Sequence, residues 1–258
     1  MKRQISILLA ALLFMGIIGY VSQEYWAITP LAKPHKQNKL RTANKQTLQV
    51  IRRVETPEKI IALTFDDGPH PKFTPLVLKV LKKHKAHGTF FILGHHADRH
   101  PELVNQIVSN GNEVAVHSYN HFFLNRLSSS QVENQIDRTY KSLFRITGHQ
   151  PALFRPPYGF YNKNMLSLAA KKNLKVVLWT PTADPRDYDD PGAAKIAGRV
   201  LSEIKPGSIV LLHDHGGNRA QTVEAVDKII TTLKTEGYKF ETVSHLINVG
   251  QVKKVQKP

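Results

Sequence analysis

The chain has 258 residues, of which 41% are hydrophobic and 22% are charged. This is enough for one large α/β domain or two small ones and excludes disorder throughout the chain. The absence of cysteine excludes thiolate chemistry, so a metal site must use histidine and carboxylate ligands, while the formal charge of +16 predicts an anionic neighbour such as nucleic acid, an acidic wall polymer or a membrane surface.

The N-terminus has the pattern of a membrane anchor. Lys2 and Arg3 precede residues 5–21, which form an uncharged and mostly apolar run. This run reaches the short limit of the roughly 17–25 residues that span a bilayer and exceeds the usual signal-peptide core of about 7–15. No clear small-x-small cleavage site follows. We predict a transmembrane signal-anchor over residues 1–21, with the rest of the chain outside the cell by the positive-inside rule. A cleaved signal peptide and a secreted protein are the alternative.

The composition then divides the remaining chain. Residues 22–57 are rich in lysine, arginine and proline and show little apolar periodicity, which predicts a basic linker. Residues 58–247 are predicted to form the folded domain, and residues 248–258 a basic C-terminal tail.

Apolar runs with strand character alternate with helical patterns through the predicted domain. The predicted strands are 60–65, 88–93, 112–116, 152–154, 174–180, 208–212 and 239–243, and the predicted helices are 74–85, 100–110, 128–147, 162–172, 191–204 and 222–236. This alternation predicts an α/β fold of parallel strands joined by helical crossovers. Seven strands favour a distorted (β/α) barrel, with an open sheet as the alternative; in both, ligands bind at the C-terminal ends of the strands.

Two adjacent carboxylates follow the first predicted strand. Asp66 and Asp67 lie between that strand and Gly68-Pro69. Like charges so close repel unless a cation, an arginine or a shared proton gives them separate roles. The alternative is an ordinary Asp-Gly turn.

The ends of other predicted strands also carry titratable groups. His117 and His121 follow the third strand at i and i+4, so on a helical turn they share one face and, with a carboxylate, suit an open divalent metal site. Arg155 begins an Arg-Pro-Pro-Tyr-Gly segment in which the prolines restrict the backbone. The remaining strand ends lead to Asp184-Pro185-Arg186-Asp187-Tyr188 and to His213-Asp214-His215.

Together these motifs resemble the polysaccharide deacetylases, which are metal-dependent carbohydrate N-deacetylases that share a nodulation-type homology domain. The resemblance covers about residues 58–247, and the five motifs occur in the family's order: Asp-Asp, His-x-x-x-His, Arg-Pro-Pro-Tyr-Gly, Asp-x-x-Asp-Tyr and Leu-Leu-His-Asp. In that family the fold is a distorted barrel of parallel strands and helices, in agreement with the strand count above.

The resemblance implies a division of labour between the two carboxylates. Asp66 would be the general base, oriented by Arg155. Asp67, His117 and His121 would hold a divalent metal, zinc in the first place, with cobalt, nickel or manganese as alternatives.

The resemblance also implies roles around the reacting amide. The backbone N–H of Tyr158 would help to hold the oxyanion, and His213, kept cationic by Asp187, would protonate the departing amine. Leu211 and Tyr188 would line the pocket for the acetyl methyl group. The family usually has tryptophan where this chain has Tyr188, which puts the size of that pocket in question.

The implied function is removal of N-acetyl groups from an aminosugar polymer, with release of acetate. A tethered, basic enzyme favours peptidoglycan; chitin oligomers, an N-acetylglucosamine exopolysaccharide and O-acetylated xylan are alternatives, and a non-catalytic glycan-binding module is a further one. Nucleic acid is not expected as a partner of an exported chain. The other histidines are interpreted as surface or helix-face residues and not as a second metal site: His84, His87, His95, His96, His100 and His215.

Overall fold

The computed structural model describes residues 49–252. The predicted membrane anchor, most of the predicted linker and the last six residues of the predicted tail lie outside this range. Between residues 49 and 252, no helix combines the length and apolar character needed to cross a membrane.

The elements follow the predicted alternation of strands and helices. The strands are β1 Val50–Ile51, β2 Val54–Glu55, β3 Ile60–Asp66, β4 Gly88–Ile92, β5 Glu113–Val116, β6 Leu153–Phe154, β7 Lys175–Val177, β8 Ile209–His213, β9 Lys239–Phe240 and β10 Gln251–Val252. The α-helices are α1 Phe73–Lys83, α2 Gly94–Arg99, α3 Pro101–Ser109, α4 Ser129–Thr147, α5 Lys163–Lys171, α6 Ala193–Glu203, α7 Ala220–Thr235 and α8 Val243–Val249. Four short 3-10 helices lie in the loops.

The main sheet is a curled half-barrel of parallel strands. Its order is β1-β7-β6-β5-β4-β3-β8, and β9 also pairs with β3. The Thr180 N–H, just beyond β7, donates to the carbonyl oxygen of Ile209 in β8 (3.0 Å), which draws the two sides of the sheet towards each other. The predicted α/β class and the seven predicted parallel strands, which correspond to β3–β9, are confirmed, and β1 adds an eighth strand to the barrel-like sheet.

The central strand β3 is buried along its whole length, and its side chains alternate between two environments. Leu63 and Phe65 belong to the large apolar cluster shared with the helices. Ala62 belongs to a second cluster inside the curl of the sheet, and Asp66 lies on the same side because side chains two residues apart share a face. The alternation therefore directs one carboxylate to the interior at the C-terminal end of the strand.

Two segments predicted to flank the domain belong to it. Strand β1, inside the predicted linker, pairs in parallel with β7, and β2 pairs antiparallel with β10, inside the predicted tail. The last predicted strand is also shorter, because the Thr242 hydroxyl caps α8 by accepting the N–H of His245. Two-residue strands carry too little periodicity to be separated from a linker by sequence.

We expect a fragment of residues 58–258 to be much less stable than one of residues 46–258. The shorter fragment lacks β1 and β2, whose Val50, Ile51 and Val54 side chains are buried. Full burial of such a side chain stabilises by about 1.5–3 kcal/mol, so the free energy of unfolding should fall by several kcal/mol. Urea unfolding followed by circular dichroism measures the difference, and equal midpoints would show that these strands do not support the fold.

Candidate active site

The predicted site residues meet at the C-terminal ends of the parallel strands. Asp66 ends β3 and His213 ends β8, where the two residues are register partners. His117 follows β5 and Arg155 follows β6. Asp187 begins a 3-10 helix in the segment after β7. Parallel strands bring their C-terminal ends to one edge, so residues far apart in sequence form one cluster.

Arg155 forms a buried ion pair with Asp66. Its Nη1 lies 2.6 Å from Asp66 Oδ1 and donates to the Thr64 hydroxyl (2.9 Å). The guanidinium has no solvent exposure and lies 3.9 Å from the centre of the Phe91 ring. Burial raises the pKa of Asp66, and the positive charges of Arg155 and His213 offset part of this increase. Asp66 is therefore a carboxylate in a fixed orientation with enhanced basicity.

Three neighbouring groups form a candidate metal site. One ligand atom each from Asp67, His117 and His121 lies within 4.8 Å of the others. The Asp67 Oδ1 atom is buried without a hydrogen-bond partner, although His121 Nε2 is only 3.2 Å away. A buried carboxylate oxygen left in this way fits a cation, and a donor set of two imidazoles and one carboxylate suits zinc or a related divalent metal.

The protonation of His117 also fits metal binding. Its Nδ1 donates to the backbone carbonyl of Arg155 (2.8 Å), which leaves Nε2 directed at the carboxylates. Burial lowers the pKa of His117 to about 3, with the positive charges of His121 and Arg155 acting in the same direction against the charge of Asp67. His117 is therefore neutral at physiological pH, as a metal ligand must be.

The turn that carries Asp67 is held by two hydrogen bonds and by close packing at Gly68. Asp67 has a positive φ of 73°, a conformation that non-glycine residues seldom adopt. The ring of His96 donates from Nδ1 to the Asp67 carbonyl (2.8 Å), and the Leu93 N–H donates to the Gly68 carbonyl (3.1 Å). A Cβ at Gly68 would overlap the carboxylate of the buried Asp214. These contacts position Asp67 opposite the two histidines.

His213 and Asp187 form the second buried pair. The Nδ1 of His213 donates to Asp187 Oδ1 (2.7 Å), while the other carboxylate oxygen accepts the His213 N–H and the Thr222 hydroxyl (both 2.9 Å). Burial alone would lower the pKa of His213, but the hydrogen bond and charge of Asp187, with the charges of Asp67 and Asp66, raise it to about 9. His213 is thus a cationic acid at neutral pH.

The remaining predicted residues surround this cluster. Tyr158 has a φ of 60°, and its ring contacts the ring of His121 edge-on at 4.6 Å. Tyr188 contacts the His213 ring edge-on at 5.5 Å. Leu211 is buried two residues before His213 on the same side of β8. The structure therefore brings all ten predicted site residues to one region.

Sequence reasoning missed three residues of this region. His96, interpreted as a surface or helix-face residue, is buried against the Asp67 turn, and His215 stacks on its ring with 4.0 Å between the ring centres. Asp214 had no predicted role, yet it is fully buried, accepts the Thr74 hydroxyl, and has a pKa that burial raises to about 7. Only its position directly after His213 could have pointed to it. Within residues 49–252, no second group of metal-binding side chains accompanies the first.

The polysaccharide deacetylase family pattern matches residues 53–177. A peptidoglycan-N-acetylglucosamine deacetylase of Bacillus cereus is 43% identical over 208 residues, which cover 81% of this chain and 97% of that protein. The chain belongs to the polysaccharide deacetylase family. It is therefore a hydrolase of the class that acts on N-acetyl amide bonds. Chitooligosaccharide deacetylases of Bradyrhizobium and Sinorhizobium are 35% and 36% identical to it.

Solved structures share this fold. The Bc1960 peptidoglycan N-acetylglucosamine deacetylase is 35% identical with a TM-score of 0.75, covering 79% of this chain and 95% of its own. A family pseudoenzyme from Bacillus anthracis is 30% identical with a TM-score of 0.72, covering 80% of this chain and 71% of its own. Because a pseudoenzyme has the same fold, the chemistry of this chain depends on its site residues and not on the fold alone.

Replacing Asp187 with Asn should shift the titration of His213 to lower pH. The His213 imidazole keeps its proton below a pKa of about 9 and loses it as the pH rises through that value. Loss of the Asp187 charge removes the main group that favours the protonated form, so we expect a decrease of about 1–3 pKa units. NMR of the imidazole measures it directly, and the alkaline limb of hydrolysis should move in parallel. Asp189→Asn, at an exposed carboxylate, is the control; an unchanged His213 pKa in Asp187→Asn would contradict the assignment.

Proposed function

We propose that this protein is a metal-dependent deacetylase that removes N-acetyl groups from an aminosugar polymer of the cell wall, with peptidoglycan as the preferred substrate. The observation that carries the proposal is that two adjacent carboxylates have different partners. Asp66 pairs with a buried arginine, whereas Asp67 faces two imidazoles with an unpartnered oxygen. One carboxylate is thereby available for proton transfer and the other for a cation.

Asp67, His117 and His121 would hold the metal. A divalent cation bound there would supply Lewis-acid activation of water and of the acetamide carbonyl. We place zinc first, because two histidines and one carboxylate are a common zinc donor set that leaves a coordination position open. The His96 ring supports this group by donating a hydrogen bond to the backbone carbonyl of Asp67.

Asp66 would accept a proton from the attacking water. Its pairing with Arg155 keeps one carboxylate oxygen oriented, while the other, Oδ2, lies 3.7 Å from His117 Nε2 and faces the candidate metal site. A base oriented in this way needs no reorganisation before it takes the proton. The backbone N–H of Tyr158 is the proposed donor to the developing oxyanion.

His213 would give its proton to the departing amine. The nitrogen of an amide is a poor leaving group until it is protonated, and the Asp187 hydrogen bond provides a cationic imidazole at neutral pH. Water adds its oxygen to the acyl carbon, the C–N bond breaks, and the products are acetate and a free amino sugar. Tyr188 and Leu211 are proposed to enclose the acetyl methyl group.

Two arguments support a wall polymer. The 43% identical relative is named for peptidoglycan N-acetylglucosamine, and the positive net charge of +16 favours an anionic wall. We further propose that residues 1–21 anchor the protein in the cell membrane with the domain outside. Chitin oligomers are the second candidate substrate because relatives at 35% and 36% identity are named chitooligosaccharide deacetylases. A non-catalytic glycan-binding role would not require both buried pairs and the metal group.

A substrate panel tests this proposal. The full chain, supplied with zinc or cobalt, should release acetate from peptidoglycan and more slowly from N-acetylglucosamine oligomers, and a chelator should abolish the release. Acetylated xylan is the control for acetyl groups in ester linkage. Acetate release only from chitin oligomers would show that these oligomers, and not peptidoglycan, are the substrate. No release from any polymer despite bound metal would support a non-catalytic glycan-binding module.

A further inference from the structure

An arginine at the start of α7 has no part in the chemistry described above. Arg219 directly precedes this helix and is only 5% exposed. Within residues 49–252, the hydrogen bonds of its side chain all go to backbone carbonyls and none goes to a carboxylate. Burial of a charge without a countercharge costs free energy, and the helix macrodipole also opposes a cation at this end of a helix. Helix formation therefore does not explain the charge, whereas its hydrogen bonds do.

The hydrogen bonds of Arg219 join two separate segments of the site. Its Nη1 donates to the backbone carbonyl of Asp187 (3.0 Å), and its Nε donates to that of His215 (2.8 Å). Its Nη2 donates to the carbonyl of Gly216. A guanidinium is planar and holds its donors in a fixed fork, so the three carbonyls are set relative to one another. One side chain thereby connects the turn of Asp187 with the loop that follows His213.

The turn of Asp187 needs support from outside. Arg186 and Asp190, on either side of the short 3-10 helix that begins at Asp187, have positive φ angles of 53° and 56°. Residues other than glycine stay in this conformation only where surrounding contacts fix them. The hydroxyl of Thr222, one turn after Arg219, donates to the Asp187 carboxylate (2.9 Å). The start of α7 therefore holds Asp187 at its backbone carbonyl and at its carboxylate.

The loop after His213 also depends on this contact. Gly216 and Gly217 both have a positive φ, of 80° and 117°, and adjacent glycines leave a backbone with many accessible conformations. A Cβ at Gly216 would lie 3.4 Å from Arg219 Nη2 and 3.7 Å from Asp67 Oδ2. The loop backbone thus passes between Arg219 and the carboxylate of a candidate metal ligand. Arg219 fixes a loop that borders both the acid and the metal group.

We propose that Arg219 is a positioning residue for the proton donor: its guanidinium fixes Asp187 and the loop after His213 together, so that the imidazole of His213 faces the departing amine. This inference rests on the proposed function, because it takes His213 as the donor. At 5% exposure Arg219 has too little surface to bind substrate, so it acts through Asp187 and the loop. Its loss should therefore affect turnover and not substrate binding.

The first test measures kcat and KM of Arg219→Gln in the full chain, on the polymer that the parent deacetylates fastest. A misplacement of a reacting group by about 1 Å can cost about 100-fold in rate, so kcat should fall by about 10–100-fold while KM stays within about twofold. Arg219→Lys keeps the charge and most of the volume but has only one donor nitrogen, so it should lose kcat as well. The lysine variant also covers the case in which Arg219→Gln does not fold.

The second test measures the titration of His213 by NMR in the same variants. The pKa of His213, about 9 in the parent, should fall by about one pKa unit because its hydrogen bond with Asp187 is no longer held in place. Arg199→Gln is the matched control. Arg199 donates to the carbonyl of Pro185 (2.7 Å) in the same segment but has no hydrogen bond to the loop after His213, so its loss should change neither kcat nor this pKa.

The NMR measurement separates this inference from the proposed function. Acetate release by the parent, with parental kcat and parental His213 titration in the folded Arg219 variants, would overturn the positioning role and leave the function standing. A lower kcat with an unchanged His213 pKa would show a merely structural role and would overturn it too. A parent chain that releases no acetate, with a His213 pKa that still falls in Arg219→Gln, would overturn the function and leave the hold of Arg219 on the buried pair standing.

Discussion

The candidate active site depends on one buried cation. Arg155 is fully buried inside the curled sheet, where it pairs with Asp66 of β3, lies over Phe91 of β4 and donates to the carbonyls of Val177 (3.3 Å) and Leu178 (3.4 Å) at the end of β7. Breaking such a pair by removing one partner costs about 3–5 kcal/mol, because the other charge is left buried and unpaired. The sheet is therefore assembled around a charge that a purely apolar interior would not need.

This cation also organises the chemistry. Its side chain pairs with Asp66, which leaves Asp67 as the carboxylate of the candidate metal group, and its backbone carbonyl sets the tautomer of His117. Asp187 and His213 form a second buried polar pair at the site, and the two pairs have opposite effects. The Arg155 pair orients Asp66 as a candidate base, whereas the Asp187 pair raises the pKa of His213, a candidate acid. Acid and base of this kind coexist at one pH because their surroundings shift the two pKa values apart.

The sequence predicted the positions of the site residues better than the boundaries of the elements. Asp66 and His213 were predictable because each comes at the end of a long apolar run. His117 and Arg155 follow shorter predicted strands, and the C-terminal ends of parallel strands meet at one edge. Strands β1, β2 and β10 were missed because two residues show no period, and the role of His96 was missed because it depends on a turn that only the folded chain forms. The role of Asp214 was missed because the burial of its carboxyl group depends on the tertiary structure. The predicted anchor lies outside the described residues and stays a prediction.

The central claim is that adjacent carboxylates perform different tasks. The most direct measurement compares zinc binding and turnover in Asp66→Asn and Asp67→Asn of the full chain. Asp66→Asn should bind zinc like the parent and lose about 10²–10⁴-fold in turnover, the usual contribution of a general base. Asp67→Asn should lose zinc affinity, and activity with it. Loss of zinc in Asp66→Asn, or parental zinc affinity in Asp67→Asn, would contradict the account.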